Sequence, residues 1–340
     1  MKSLLQTLKG ATISPPPIWL MRQAGRHLRE YRDLRLHANT FLDFCYSPDM
    51  AVEATLQPVR RYGVDAAILF SDILVVPDAL GQNVSFISGM GPRLEPLDGR
   101  TAIDRLDTTN LHAHLAPIYE SIRRLRTQLS ETTTLIGFAG APWTVATYMI
   151  EGGSSRDHQR TRAYAYESPD DFQVLIDLLV EVTAAYLIRQ ADEGAEVVQI
   201  FDSWAGVLPP VQFDRWVIKP FQKIVATVKT AHPHLPIIGF PRGAGLGYAT
   251  FSAKTGVDAV SLDSTVPLTW AAKNIQQDTV IQGNLDNLVL RAGGKQLENA
   301  VQEILSVLSA RPFIFNLGHG ILPDTPVANV RQLIDMVRGR

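Results

Sequence analysis

Five arginines stand between positions 22 and 35: Arg22, Arg26, Arg29, Arg32 and Arg35, against only Glu30 and Asp33. A guanidinium is a planar fork that grips carboxylates and phosphates through paired hydrogen bonds, so clustered arginines point to a polyanionic ligand. Arg29, Arg32 and Arg35 read as the solvated face of a basic helix start. Arg22 and Arg26 differ, because they flank Gln23, Ala24 and Gly25, where small residues let backbone and guanidinium approach a ligand closely. One acid, Asp72, follows an apolar run and precedes Ile73-Leu74-Val75-Val76. In such surroundings an aspartate is either a capped structural group or a charge put to use, and its type leaves both open. Tyr148 fits a core aromatic as well as a hydrogen-bonding hydroxyl, and Ser203 and His319 are equally ambiguous. Ser203 has no nucleophile elbow around it, since Gly-x-Ser-x-Gly is absent.

No metal-ligand set emerges. The histidines are His27, His37, His112, His114, His158, His232, His234 and His319, and only His319 falls at the end of a predicted strand. A catalytic zinc commonly takes three protein ligands, two of them closely spaced. His112/His114 and His232/His234 have the spacing but are expected on helix or loop at the far side. Cys45, the single cysteine, excludes an internal disulfide and any Cys-x-x-Cys site, which fits a reducing compartment.

The elements that must hold these groups are eight short apolar runs: residues 18–21, 65–70, 134–138, 196–201, 236–240, 257–262, 279–282 and 312–315. They are apolar almost throughout, as parallel strands covered on both faces should be. Segments of helical periodicity separate them, at residues 50–61, 111–129, 168–194, 214–230, 268–275 and 297–308. The clearest opens on Ser168-Pro169-Asp170-Asp171, with a serine cap, proline in the first turn and acids on the positive end of the dipole. Eight β-then-α units predict one α/β domain over residues 1–340, a (β/α)8 TIM-type barrel. An open nucleotide-binding sheet would need Gly-x-Gly-x-x-Gly after the first run, and none is there. Gly243-Ala244-Gly245-Leu246-Gly247 has the wrong spacing and reads as a tight turn.

In a barrel the chemistry sits where strands end, and the polar groups above fall there. The first run leads into Arg22 to Arg26, the second into Ser71 and Asp72, the third towards Tyr148, and the fourth into Asp202 and Ser203. The later runs lead into Arg242, Asp263, Asn284 with Asp286, and Asn316-Leu317-Gly318-His319-Gly320. An insertion at residues 75–96, with Gly81-Gln82-Asn83 and Gly89-Met90-Gly91-Pro92, reads as a hairpin-like excursion over the mouth after the second strand. Residues 1–15 are expected to form a loose arm, ending at the stiff Ser14-Pro15-Pro16-Pro17.

Composition bounds the rest. In 340 residues, Lys+Arg 32 against Asp+Glu 34 gives a net charge of −2, which offers no reason to expect nucleic acid or an anionic membrane as partner. Hydrophobic residues at 46% supply a large core and exclude disorder. Gln6 and Lys9 interrupt any signal-like apolar run, and residues 136–150 are too short and too rich in Gly and Pro to span a bilayer. A cytoplasmic, soluble protein is the expectation.

Four separated stretches carry a resemblance. Trp19-Leu20-Met21-Arg22-Gln23-Ala24-Gly25-Arg26, followed by Glu30-Tyr31-Arg32, resembles the N-terminal signature of the uroporphyrinogen decarboxylases. Phe70-Ser71-Asp72-Ile73-Leu74, Gly137 to Thr144 leading to Tyr148-Met149-Ile150-Glu151-Gly152, and Asn316 to Gly320 resemble further family segments. His27, where the family often has Tyr, and Ser203, where bacterial members often have Thr, are departures.

The resemblance implies a cofactor-free carboxy-lyase, a homodimer of barrels acting in tetrapyrrole (haem and chlorophyll) biosynthesis. It would convert uroporphyrinogen III to coproporphyrinogen III by removing four acetate carboxyl groups. On that reading Asp72 accepts the pyrrole N–H groups and stabilises the cation formed when a ring carbon is protonated. Arg22 and Arg26 hold substrate carboxylates, one of them assisting proton transfer, though a guanidinium is a poor general acid. Tyr148, Ser203 and His319 complete the carboxylate contacts; Gln23, Ala24 and Gly25 line the pocket; Phe138, Gly140 and Phe201 form its walls. Zinc-dependent methyltransferases of the same superfamily need thiolate ligands that Cys45 alone does not supply. A glycoside hydrolase pairing Asp72 with Asp263 leaves the strand-end arginines without a task. A tetrapyrrole binder without catalysis has less need of a buried carboxylate.

Overall fold

A computed structural model describes residues 2–87 and 91–340. Its strands are β1 (Ala66–Ile68), β2 (Val84–Ile87), β3 (Gly91–Leu94), β4 (Thr134–Gly140), β5 (Val197–Asp202), β6 (Ile237–Pro241), β7 (Ala259–Ser261), β8 (Val280–Leu285) and β9 (Phe313–Leu317). Seven of them form one parallel sheet in the order β1-β4-β5-β6-β7-β8-β9, with helices between successive strands. Every one falls on or overlaps an expected run, because these strands are buried on both faces and read as continuous apolar stretches.

The first expected strand, at residues 18–21, takes the eighth position in a different form. Ile18 makes a single parallel bridge with Phe315 of β9, while the Asp65 N–H donates to Ile18 O at 2.9 Å on the other side. The segment therefore spans the gap between the two edges of the sheet. It makes no full ladder because side chains take its donors: Ile18 N–H goes to Asp65 Oδ2, Leu20 N–H to Gln23 Oε1 and Met21 N–H to Asn316 Oδ1. All three are at hydrogen-bonding distance, so no buried N–H is orphaned.

Alternation along the strands sends Trp19, Ile136, Val197, Ile238, Ala259 and Ile314 inward as one apolar cluster. Leu4 and Leu8 belong to that cluster, at 0% and 6% exposed. The arm expected to be loose is thus a helix, Ser3–Leu8, whose i and i+4 leucines cover the cluster. Lys2 Nζ adds a 2.5 Å bond to Glu196 Oε2. The polar composition of residues 1–15 concealed two leucines at helical spacing.

Two expected helices are split. Residues 111–129 hold Leu111–His114 and then Ala116–Gln128, because Pro117 lacks the N–H that would continue the first helix and suits the first turn of the second. Residues 214–230 hold a wide π turn, Asp214–Ile218, before Lys219–Ala231, with Pro220 in the first turn of the latter. In the long helix Pro169–Asp192, Ser168 sits at the cap position but its side chain makes no capping bond. After β1 comes a short helix, Val75–Ala79, and then the β2–β3 hairpin; Gly89 and Met90, expected in its turn, lie outside the described residues. The Leu94 N–H donates to Gly152 O, tying the hairpin to the end of the helix Pro142–Glu151. No helix among the described residues is long and apolar enough to cross a membrane.

Candidate active site

The chain turns sharply after Met21. The Gln23 N–H returns to Leu20 O, and Arg22 adopts φ 59, a left-handed conformation that costs a non-glycine residue about 1–2 kcal/mol. The turn aims the exposed Arg22 side chain against Gly320 on the neighbouring loop, where a Cβ would lie 2.3 Å from Arg22 Cδ. Glycine at 320 is therefore the space that Arg22 occupies. Arg26 is exposed on the same loop, and among the described residues neither arginine forms an ion pair, whereas Arg29 pairs with Asp33. Arg32 donates to Arg26 O and Arg35 to Ala38 O, so these two, expected only on a solvated helix face, also brace the local backbone.

Asp72 lies at the end of the stretch that follows β1, half-buried, with Oδ1 accepting the Leu74 N–H at 2.9 Å. Burial raises its pKa, opposed by the Leu74 N–H and the Arg22 charge. The same carboxylate acts on Tyr148, whose pKa is raised first by burial and then by Asp72, with Arg22 opposing. Tyr148 hangs from the helix Pro142–Glu151, which begins directly after β4 and sets its ring, tilted, 6.3 Å from Trp204. Arg22, Asp72 and Tyr148 thus share one electrostatic environment.

Across the mouth, β5 ends in Asp202 and β6 in Pro241. Ser203, half-buried, follows Asp202, and Arg242 follows Pro241. The Arg242 N–H donates to Asp202 O and the Gly206 N–H to Arg242 O, both at 3.0 Å. Gly206 and Gly243 touch backbone to backbone, so any Cβ on Gly206 would stand 2.4 Å from Gly243 O. His319, half-buried, follows β9; burial, then the charges of Arg242 and Arg22, push its pKa down to about 3. A neutral imidazole acted on by two guanidiniums, with Asp72 under the charge of Arg22, makes the mouth a site for anionic groups that also carries one half-buried carboxyl group.

Other acids near the strand ends are committed. Asp263 accepts from Gly243 N–H, Tyr248 Oη and Thr265 at both N–H and Oγ1. Burial alone would raise its pKa, yet these bonds outweigh it and hold the group below the ordinary value. An acid so fully bonded offers no proton or nucleophile, which removes the Asp72–Asp263 pairing of a glycoside hydrolase. Asp202 is fully buried: Thr144 Oγ1 donates to its Oδ1 at 2.5 Å, Oδ2 has no partner, and burial pushes its pKa up to about 7.

Two expectations need correction. The Gln23 side chain is fully buried and spends both ends on backbone, accepting from Leu20 N–H and donating to Ala66 O, so it braces the loop instead of lining a pocket. Ala24 and Gly25 stay part-exposed beside it. Gly140 faces no open space either: a Cβ there would meet Val145 Cγ2 at 2.7 Å and Ile73 Cβ at 2.9 Å, so the missing side chain admits the residue next to Asp72. Phe138 and Phe201, edge to face at 5.7 Å, do lie on the inner face of the sheet below the loops. Three of the four paired histidines have partners of their own, His112 with Tyr119, His114 with Asp78 and His232 with Asp192. Among the described residues no group of three or more His, Cys, Asp or Glu could hold a metal ion. Arg242 and Gly320 also stand at the mouth: a strand end marks the first in the sequence, and the space that the second leaves is legible only once Arg22 is seen against it.

Comparison with known proteins places this geometry. Residues 1–340 match the family described as "Uroporphyrinogen decarboxylase (URO-D)". The uroporphyrinogen decarboxylase of Rhodospirillum rubrum is 56% identical over 337 residues, covering 99% of this chain and 97% of that one. That of Chelativorans sp. is 54% identical over 337 residues, covering 99% and 98%. Among solved structures, a methyltransferase from Methanosarcina mazei superposes with a TM-score of 0.82 at 18% identity, covering 100% of this chain and 99% of that one, which shows a shared fold. By sequence along its whole length, the chain belongs to the uroporphyrinogen decarboxylase family.

Proposed function

We infer that the mouth of this barrel decarboxylates the acetate side chains of uroporphyrinogen, a step of tetrapyrrole biosynthesis, giving coproporphyrinogen. Each cycle converts an acetate side chain and a proton into a methyl group and carbon dioxide. A ring carbon of the pyrrole takes a proton and the ring becomes cationic. The bond to the carboxyl group then breaks, its electron pair flows into the ring, and an exocyclic methylene remains. Protonation of that methylene and loss of the ring proton leave the methyl pyrrole.

The observation that carries this reading is the environment of Asp72: a half-buried carboxylate with one oxygen fixed by the Leu74 N–H, facing a mouth that carries unpaired guanidiniums. Burial disfavours its bare charge, so a cation formed above it is stabilised strongly. Its free oxygen is the acceptor for pyrrole N–H groups. Arg22 and Arg26 hold the acidic side chains that ring such a substrate, with Tyr148, Ser203 and His319 as further donors and Ala24 and Gly25 as backbone surface. A homodimer is part of the proposal, supported by apolar side chains on the loops after the first run, β5 and β6: Leu36, Val211 and Leu246 are 82%, 77% and 79% exposed. A cytoplasmic location, with no nucleic-acid partner, agrees with the net charge of −2.

Anaerobic incubation with uroporphyrinogen, without added metal, tests the activity; release of no carbon dioxide refutes it. Asp72→Asn tests the role: turnover falls by two orders of magnitude or more, in line with roughly 3–4 kcal/mol for one preorganised group, while the unfolding transition is kept. A near-wild-type rate would remove Asp72 from the chemistry.

A further inference from the structure

The strand order gives each loop a place around the mouth. Counting from the segment at residues 18–21 through β1, β4, β5 and β6, Arg22 leaves the first position and Arg242 the fifth of eight. The two side chains therefore start from opposite sides of the opening. Arg26 stands with Arg22, so the loop after the first run supplies cations from one side only. Uroporphyrinogen carries eight carboxylates around its whole periphery. A ring held by guanidiniums at one edge alone would leave the carboxylates of the far edge without a charged partner.

We propose that Arg242 is a substrate-binding residue of this site, gripping a carboxylate at the edge of the macrocycle opposite the one held by Arg22. The proposal rests on the activity inferred above. Its backbone is fixed on both sides, donating to Asp202 O and accepting from Gly206 N–H at 3.0 Å each, which sets Arg242 beside Ser203. Its side chain is half-buried and forms no ion pair among the described residues, although Asp263 is close enough to accept the N–H of the next residue, Gly243. Asp263 is bonded instead to Gly243 N–H, Tyr248 and Thr265, which leaves the guanidinium fork unclaimed. Arg242 and Arg22 both depress the pKa of His319, so the two guanidiniums reach towards one imidazole from their separate loops. A half-buried arginine without a counter-ion, braced by its own backbone, is arranged for an anion that arrives with the ligand.

Arg242→Ala and Arg242→Lys test it, because neither disturbs the two backbone bonds. Steady-state turnover of uroporphyrinogen is measured alongside binding of two unreactive oxidised ligands, the eight-carboxylate uroporphyrin and the four-carboxylate coproporphyrin, by fluorescence quenching. The expected result for Arg242→Ala is a KM raised on the order of tenfold to a hundredfold with kcat changed far less. Affinity for uroporphyrin falls by a similar factor and that for coproporphyrin by less, while Arg242→Lys restores part of the loss. Unchanged KM and unchanged uroporphyrin affinity in Arg242→Ala would overturn the assignment. Loss of kcat alone, with binding intact, would overturn it too. If the wild type released no carbon dioxide, the inferred activity would fail, and the binding arm would still decide the place of Arg242.

Discussion

Asp202 gives the sharpest quantitative test of the electrostatics. It is fully buried at the end of β5, bonded to Thr144 through Oδ1, and among the described residues Oδ2 has no partner and no cation pairs with the carboxylate. Burial lifts its pKa from 3.8 to about 7. Between those values the unfolded chain has released the proton and the native state has kept it. The native state then binds more protons, so stability falls as pH rises through this window and is flat above it. The full shift of about three units corresponds to roughly 4 kcal/mol, at 1.36 kcal/mol per unit. Two of those units lie above about pH 5, so roughly 3 kcal/mol is lost between about pH 5 and pH 8. Asp202→Asn retains an oxygen for Thr144 and cannot ionise. It leaves its amide N–H2 without a partner, a cost of about 1–3 kcal/mol that is the same at every pH. The stability difference between variant and wild type, from urea unfolding at several pH values, should therefore move by roughly 3 kcal/mol in favour of the variant from about pH 5 to pH 8. Every other titrating group cancels in that difference. Curves for the two proteins that run parallel across the window would refute the reasoning.

Three further outcomes follow from contacts already described. Gly320→Ala puts a methyl group 2.3 Å from Arg22 Cδ; the fold is kept, Arg22 is displaced, and KM for uroporphyrinogen rises, whereas wild-type kinetics would break the link between the two residues. Arg22→Gly removes the guanidinium and also relieves a left-handed residue at φ 59, so thermal unfolding stays within about 1 kcal/mol of wild type or improves while substrate binding is lost. Leu4→Ala, at a residue 0% exposed against the inner core, lowers stability by about 2–4 kcal/mol in urea unfolding; a loss under about 0.5 kcal/mol would return residues 1–15 to a loose arm.

How far the sequence reached depended on whether a feature is carried by one segment or by two. Strands buried on both faces announce themselves as apolar runs, so Thr134–Gly140 and Val197–Asp202 were visible within a residue or two. The barrel place of residues 18–21 was visible as well, but its hydrogen bonding was not, because Asp65, Gln23 and Asn316 come from elsewhere to take its donors. Gln23 shows the limit from the other side. Its neighbours Arg22 and Arg26 face the mouth, and adjacency in sequence suggested the same for Gln23, whereas its side chain turns inward to Ala66 O. Leu4 and Leu8 were hidden by a polar composition around them. The resemblance supplied Tyr148, Ser203 and His319, for which residue type alone left the core and the site equally open.

The charge balance is the quantity whose meaning changes most. A total of −2 suggests a protein indifferent to strongly charged partners. Many of the acids that produce it are engaged away from the mouth: Glu193 binds Arg123 and Arg189, Glu120 binds Arg123 and Arg124, and Asp214 binds Lys219 and Lys254. Such exposed pairs contribute about 0–1 kcal/mol each, so they matter little to stability. Their consequence is spatial, since they neutralise cations far from the mouth. At the mouth the balance runs the other way, because Asp263 is spent on four donors and Asp202 is sealed inside. Arg22, Arg26 and Arg242 form no ion pair among the described residues, and the Arg22 charge acts on Asp72. One anion below and cations around the rim is the distribution required by a substrate whose ring becomes positive while its periphery stays negative. A sum over the chain averages that distribution away; the strand order and the hydrogen bonds of each acid bring it back.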